Sequence, residues 1–248
     1  MKELGRILRT FKESEAVKRI ARKPGQPIRD YPTYTIPEAA LFLGIPTRTL
    51  RYWLLDHPIW EIANPDRKHP LLSFRDLAQA YYVELVRKHF QLNLSDTRRV
   101  IAEASKESKA LYPLLRKNIL VFAKHVCMDK PARGRQPHRI IDLTQYRQLY
   151  FPEMVGELAK RINWDSHNEP IQLFPWRHWA GVLDERQPVC IDSNVMSGRL
   201  VITGTRIPVQ TIVARSKKES FEKIAKDYEL STEIIQQAVS HLVQAKAA

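Results

Sequence analysis

The sequence predicts a mainly α protein with a small α+β connector between two helical units. Three observations carry that prediction. Apolar residues recur at helical spacing near both ends of the chain. Runs of β-forming residues are short and gather mostly between Asn118 and Phe174. Breaks rich in proline and glycine, such as Pro24-Gly25-Gln26-Pro27, cut the pattern into segments. The resulting division is a basic helix with its linker at 1–33, a helical unit at 34–108, the connector at 109–183 and a three-helix unit at 184–248.

The chain has 248 residues, 44% of them hydrophobic, enough for one to three small packed domains. No apolar run approaches the length that spans a bilayer, and Met1-Lys2-Glu3-Leu4 does not open an apolar signal segment. Cys127 and Cys190 lack metal-ligand spacing and read as reduced thiols, so a cytoplasmic protein with no membrane partner is expected. The formal net charge is +13 and the pI is near 9.8, which points to a polyanionic partner such as nucleic acid. Residues 1–105 carry 18 basic and 12 acidic side chains, residues 106–182 carry 13 and 7, and residues 183–248 carry 9 and 8. Neutralised phosphates supply most DNA affinity, so the nearly neutral C-terminal unit is not the expected phosphate-binding surface.

The first helix is expected over Glu3 to Arg22, where Leu4, Ile7, Leu8, Phe11, Val17 and Ile20 share an apolar face ringed by basic residues. Its expected role is packing on a neighbouring domain or subunit, with binding to DNA or a membrane surface as the alternative. Ile36-Pro37-Glu38-Ala39-Ala40-Leu41-Phe42-Leu43 predicts a short helix with Pro37 in its first turn. Gly44-Ile45 makes the turn, and Pro46-Thr47-Arg48-Thr49-Leu50-Arg51-Tyr52-Trp53-Leu54 opens a second helix. Ala39 and Ala40 allow close helix packing, Gly44 tolerates the turn, and Ile45 and Leu50 fill the space between, which is the pattern of a helix-turn-helix. Thr47, Arg48, Thr49, Arg51 and Tyr52 then lie on the helix whose N-terminal half enters the major groove. Arginine there pairs with guanine O6 and N7 or grips a phosphate.

Tyr34-Thr35-Ile36, Glu38, Ala40, the Gly44-Ile45 turn and Thr49-Leu50-Arg51-Tyr52-Trp53 together resemble the winged helix-turn-helix of the MerR family. The resemblance covers about residues 34–105. His57 to Pro70 fits the wing, and Leu72 to Leu77 leads into a third helix. Leu77 to Phe90 is amphipathic, and Leu94-Ser95-Asp96 starts a further helix to about Ser105. The resemblance implies that Tyr52 touches the DNA backbone. Arg67 and Lys68, beside His69, supply a basic wing tip suited to flanking phosphates.

In the connector, Asn118 to Val126 reads as a strand, Lys130 to Pro137 as a loop and Arg139 to Leu143 as a returning strand. Pro152 to Ile162 reads as a helix and Ile171 to Phe174 as a short strand. Arg133-Gly134-Arg135-Gln136-Pro137 resembles a minor-groove AT-hook, but Gln136 separates the second arginine from the proline, so a hairpin tip is expected. Whether this basic loop meets DNA or a protein stays open. Trp176-Arg177-His178-Trp179 reads as a structural aromatic cluster, with no nucleophile or metal constellation around it.

Beyond residue 184, Leu200 to Ile202 reads as a strand and Gly204 as a turn. Thr205 is expected to cap the next helix, with Pro208 in its first turn. Three short helices follow at Pro208 to Ser216, Phe221 to Tyr228 and Thr232 to Gln244, with Ser220 and Ser231 as caps. Gly198-Arg199-Leu200-Val201-Ile202-Thr203-Gly204-Thr205-Arg206-Ile207-Pro208-Val209 resembles a domain family found in antitoxins of the VapB type. The likeness runs from about Val189 to His241. Ser193, Leu200 and Lys218 depart from the family pattern, and the missing glycine at Lys218 bears on the loop before Phe221.

No P-loop, H-E-x-x-H, G-x-S-x-G or dinucleotide fingerprint is present, so no catalytic residue, metal ligand or cofactor is expected. The two resemblances imply an antitoxin that is not an enzyme. Its partners are double-stranded operator DNA and a PIN-type ribonuclease toxin, and it acts as a homodimer and represses its own operon. Such a toxin cuts RNA with metal-binding carboxylates, which an inserted arginine can neutralise. The arginines available for this are Arg133, Arg135, Arg177, Arg199 and Arg206. A stand-alone MerR-like regulator is the second expectation. The near-neutral, apolar helices of the C-terminal unit are the expected self-association surface.

Overall fold

A computed structural model describes residues 2–16, 24–64, 66, 68–88, 92–115, 119–122, 125–130, 139–143, 149–150, 161–175 and 188–247. Within them the fold is mixed α and β and mainly helical. Helix α1 (Lys2–Ala16) buries Ile7, Phe11 and Ser14, one side of a stripe at i, i+4 and i+7. Its expected continuation to Arg22 lies outside the described residues. A single helical turn at Ile28–Asp30 leads to β1 (Tyr34–Thr35) and α2 (Ile36–Leu43).

Helix α2 is the centre of the fold. Thr35 caps it by accepting from Glu38 N at 3.3 Å, and Gly44 ends it at φ 68°, the left-handed geometry a glycine adopts without strain. Every residue of α2 except Pro37 is buried. Helix α3 (Thr47–Arg51) follows and continues as one wide turn over Tyr52–Asp56. Strand β2 (Leu71–Leu72) pairs antiparallel with β1. Helices α4 (Phe74–Lys88) and α5 (Leu94–Ser108) complete the helical half, three residues from their expected start in the first case and three beyond the expected end in the second.

The connector is two sheets, not one strand pair. The expected strand over 118–126 is divided into β3 (Ile119–Phe122) and β4 (His125–Lys130), which pair antiparallel, so the chain reverses between them. Strands β5 (Arg139–Asp142) and β6 (Leu149–Tyr150) extend this sheet in the order β3-β4-β5-β6. The helix expected at 152–162 falls largely on residues outside the description, as does the Trp176–Trp179 cluster. The second sheet has the order β10-β9-β8-β7, with β7 at Ile162–Trp164, β8 at Pro170–Leu173, β9 at Val189–Asp192 and β10 at Leu200–Ile202. The connector hairpin β7–β8 and the C-terminal strands therefore share one sheet.

Helices α6 (Val209–Arg215), α7 (Phe221–Asp227) and α8 (Thr232–Ala247) stand near their expected positions. Ser220 and Ser231 do cap α7 and α8, accepting from Lys223 N at 3.3 Å and Ile234 N at 3.2 Å. Thr205 does not cap α6. Its hydroxyl donates to Ile202 O at 2.9 Å and accepts from Ile207 N at 3.0 Å, tightening the turn, and Pro208 takes the cap position. Lys218 needs no glycine: its N–H closes a turn on Arg215 O at 2.9 Å without positive φ.

One hydrophobic core runs from Ile7 and Phe42 to Ile212 and Leu242, so the N- and C-terminal units share their interior. Helix α8 lies against α2, and α1 lies against α2, α6 and α8. The apolar faces that α6 and α8 turn toward α1 and α2 are thus covered within the chain. Two buried polar contacts fasten the seam. Tyr34 Oη donates to Gly198 O at 2.8 Å, and His241 Nε2 lies 3.1 Å from Phe42 O. Removing the hydroxyl with Tyr34→Phe is expected to cost about 1 kcal/mol of stability, the usual net value of one such bond. Urea unfolding of the two proteins measures it, and an unchanged midpoint contradicts a fastening role.

Ion pairs hold the β7–β8 hairpin to the N-terminal unit. Arg29 meets Asp165 at 2.7 Å, and Arg75 bridges Asp30 and Glu169, each at 2.8 Å. Hydrogen bonds from the hairpin backbone at Glu169 and from Arg29 hold the Asp165 carboxyl down at about 2. The carboxylate form is therefore favoured in the folded state. Its contribution is complete above the unfolded carboxylate range near pH 4 and is lost as pH falls toward about 2. Unfolding midpoints measured from pH 5 to pH 2 should fall less steeply for Asp165→Asn than for the unaltered protein. Parallel curves contradict the ion-pair assignment.

Candidate nucleic-acid interface

The short helix α3 is amphipathic within two turns. Leu50 is fully buried and Trp53 is 1% exposed, whereas Thr47, Arg48 and Arg51 face solvent and Tyr52 is 37% exposed. Thr49 is half-buried. The side chains that the sequence assigned to DNA thus lie mainly on one outward face, and the residues between them form the floor. The wide turn at Tyr52–Asp56, closed by His57 N on Tyr52 O at 2.9 Å, lets Trp53 and Leu54 both turn inward while Tyr52 stays out.

Tyr52 and Trp53 are braced from behind. The Arg98 guanidinium lies 6.0 Å from the Tyr52 ring and donates to His57 O at 2.9 Å. The Arg87 guanidinium covers Trp53 at 5.0 Å. Arg48 and Arg51 make no ion pair among the described residues, so neither must break one to reach a phosphate.

The loop between the wide turn and β2 is anchored by a buried carboxylate that the sequence reading passed over. Asp76 accepts from Trp60 Nε1 at 3.1 Å, Ala63 N at 3.0 Å, and Ser73 N and Oγ, both at 2.8 Å. Burial pushes its pKa up and these donors oppose the shift. Ser73-Phe74-Arg75-Asp76 has the spacing of a capping box, the signal that exposes this anchor in the sequence. From Asn64, which bridges to Leu71, the loop carries exposed Lys68 and His69, with Lys68 N on Asp66 Oδ1 at 2.9 Å. Arg67 lies outside the described residues.

Arg51, Lys68 and His69 come together in one surface depression with Pro37 of α2 and Thr10 and Glu13 of α1. Helix α3 and the loop tip thus form a joint surface, and α1 completes it. Of the arginines assigned to a protein partner, Arg199 and Arg206 lie within the described residues. Arg199 is 47% exposed and 3.8 Å from Glu15. Arg206 is exposed on the turn that Thr205 tightens and makes no ion pair among the described residues. Arg133, Arg135 and Arg177 lie outside the described residues. Among the described residues no group of three or more histidine, cysteine, aspartate or glutamate side chains could hold a metal, and no helix is long and apolar enough to cross a membrane.

Residues 189–241 match a family described as a protein of unknown function (DUF433). That segment begins at β9 and ends in α8, so it includes Gly198, Arg199 and Arg206. No curated protein matches the chain. Among solved structures, the X-ray crystal structure of Rv2018 from Mycobacterium tuberculosis is similar, with a TM-score of 0.56 and 18% identity over 84% of this chain and 97% of that one. At that identity the likeness concerns the fold.

Proposed function

We propose that the chain is an antitoxin of a type II toxin–antitoxin pair. In this reading its N-terminal winged helix-turn-helix binds operator DNA and represses its own operon. Its other surface inhibits a PIN-type ribonuclease, and it catalyses nothing itself. The observation that carries the reading is the outward face of Thr47, Arg48, Arg51 and Tyr52, fixed from beneath by Leu50 and Trp53 and flanked by Lys68. A rigid helix face whose guanidiniums make no ion pair among the described residues suits a groove lined by guanine edges and phosphates. The net charge of +13 supports the same partner.

The inhibitory half rests on the antitoxin-like segment that begins near Val189. Arg206 stands on the braced turn that follows β10, and Arg199 directly precedes that strand. Either can meet a nuclease carboxylate through two parallel hydrogen bonds. Two chains acting as a homodimer set two recognition helices one or more DNA turns apart. The dimer surface then lies away from the covered faces of α6 and α8.

The reading expects a PIN-type ribonuclease encoded beside this chain, and the test is metal-dependent RNA cleavage by that gene's product with the full chain titrated in. Cleavage is expected to stop near equal amounts. Arg206→Ala is expected to weaken inhibition by roughly 30-fold or more if that guanidinium is the buried partner of a carboxylate. Cleavage undiminished by the full chain refutes the antitoxin reading.

One observation favours a stand-alone regulator instead. A crevice of about 480 Å³ opens between the units, lined in part by Tyr31, Thr33, Glu38, Ser193, Ser197 and Arg199. A small molecule held there contacts both the C-terminal unit and the start of α2. A regulator of this kind shows DNA affinity that changes with a metabolite and inhibits no nuclease.

A further inference from the structure

We infer that helix α1 is a third DNA-contacting element, with Lys2, Arg6 and Arg9 laid along the phosphate backbone beside the recognition helix and the wing. The inference rests on the DNA-binding reading above. Helix α1 has two unlike faces. Ile7 and Phe11 are buried, with Phe11 packed 6.1 Å from the Phe42 ring, and the Ser14 hydroxyl donates to the Glu38 carboxylate. Those contacts fix the rotation of α1 against the first helix of the helix-turn-helix.

With that rotation fixed, the other face is determined. Thr10 and Glu13 line the depression that holds Arg51, Lys68 and His69. Residues one turn apart on a helix share a face, so Arg6 precedes Thr10, Arg9 precedes Glu13, and Lys2 precedes Arg6 on the same stripe. Lys2, Arg6 and Arg9 are all exposed. From Lys2 to Thr10 the stripe runs about 12 Å at the helical rise. That distance matches the axial rise of about three to four phosphates on one strand.

The pairing within α1 does not compete strongly. Arg6 lies 3.7 Å from Glu3, but its side chain is 68% exposed, and an exposed pair of this kind holds weakly against a phosphate. Among the described residues, Glu13 is the one carboxylate that lines the depression with Arg51. It repels a phosphate there, so the backbone is held on either side of it. Neutralising Glu13 therefore tightens binding.

The experiment uses the full chain and a fluorescent duplex taken from directly upstream of its reading frame, with anisotropy recorded over a series of salt concentrations. Arg6→Ala with Arg9→Ala is expected to reduce the slope of log affinity against log salt by about 2, at about 0.9 per lost phosphate contact. The preference for this duplex over an unrelated one stays unchanged, because phosphate contacts carry no sequence information. Glu13→Gln is expected to raise affinity several-fold. Thermal melting checks that the exposed substitutions leave the fold intact. If the unaltered chain binds the duplex and the arginine variant keeps the same slope and affinity, α1 is a solvated face and the inference fails alone. If the unaltered chain binds no duplex, the DNA-binding reading falls and this inference falls with it.

Discussion

Replacing Arg48 and Arg51 together with alanine is expected to weaken binding to the chain's own operator by on the order of 30- to 10⁴-fold, from about 1–3 kcal/mol for each base-reading contact. Both side chains are exposed and make no ion pair among the described residues, so stability should move by no more than about 0.5 kcal/mol. The two effects separate cleanly. Operator affinity by anisotropy should collapse while the urea midpoint stays fixed. Preference for the operator over an unrelated duplex should fall as well, which distinguishes these arginines from those of α1. Undiminished affinity and preference would remove α3 from the interface.

The second large effect concerns stability. Gly198 has φ +78°, and a Cβ there meets Tyr34 Oη at 2.1 Å and Cζ at 3.1 Å. Gly198→Ala therefore combines left-handed strain with displacement of the hydroxyl that fastens the two units. The expected cost is about 2–6 kcal/mol, from roughly 1–3 for the backbone and a similar amount for the overlap. In the Tyr34→Phe background the nearest overlap is gone, so the cost of Gly198→Ala should shrink. Urea unfolding of the four proteins checks both statements. Equal costs in the two backgrounds would show that Gly198 is needed for its φ alone. The glycine of the Gly198-Arg199 pair is thus explained by the approach of a tyrosine 164 positions earlier in the chain.

That pairing also marks where the sequence stops being readable. Helices α2, α3, α4, α6, α7 and α8 carry local signals: apolar spacing, Thr35, Ser220 and Ser231 at their starts, and Gly44 at an end. Local chemistry suffices for these elements. Strands β7 and β9 were missed because Ile162–Trp164 and Val189–Asp192 are too short to show a period, and they exist through pairing with β8 and β10. Thr205 was read as a cap because threonine before a helix usually is one; here two nearby backbone groups compete for its hydroxyl and win.

The outward set Thr47, Arg48, Arg51 and Tyr52 was legible because two turns of helix fix which residues share a face. The placement of α1 was not. The sequence shows a basic amphipathic helix, and only its packing on Phe42 and Glu38 sets its Thr10–Glu13 edge beside Arg51 and Lys68. The burial of α8 on α2 was equally hidden, since His241 and Phe42 are 199 positions apart. The apolar spacing of α6 and α8 is legible, but that α1 and α2 are what covers it is not.

The most direct test of the central claim is a competition measurement with the full-length chain at physiological salt. A labelled duplex from directly upstream of its reading frame is displaced by unlabelled copies of itself or by an unrelated duplex of equal length. Operator recognition by α3 predicts that the unrelated duplex competes about 10³-fold less well or worse. Equal competition by the two duplexes would contradict it, leaving a basic surface that holds any DNA through its phosphates alone.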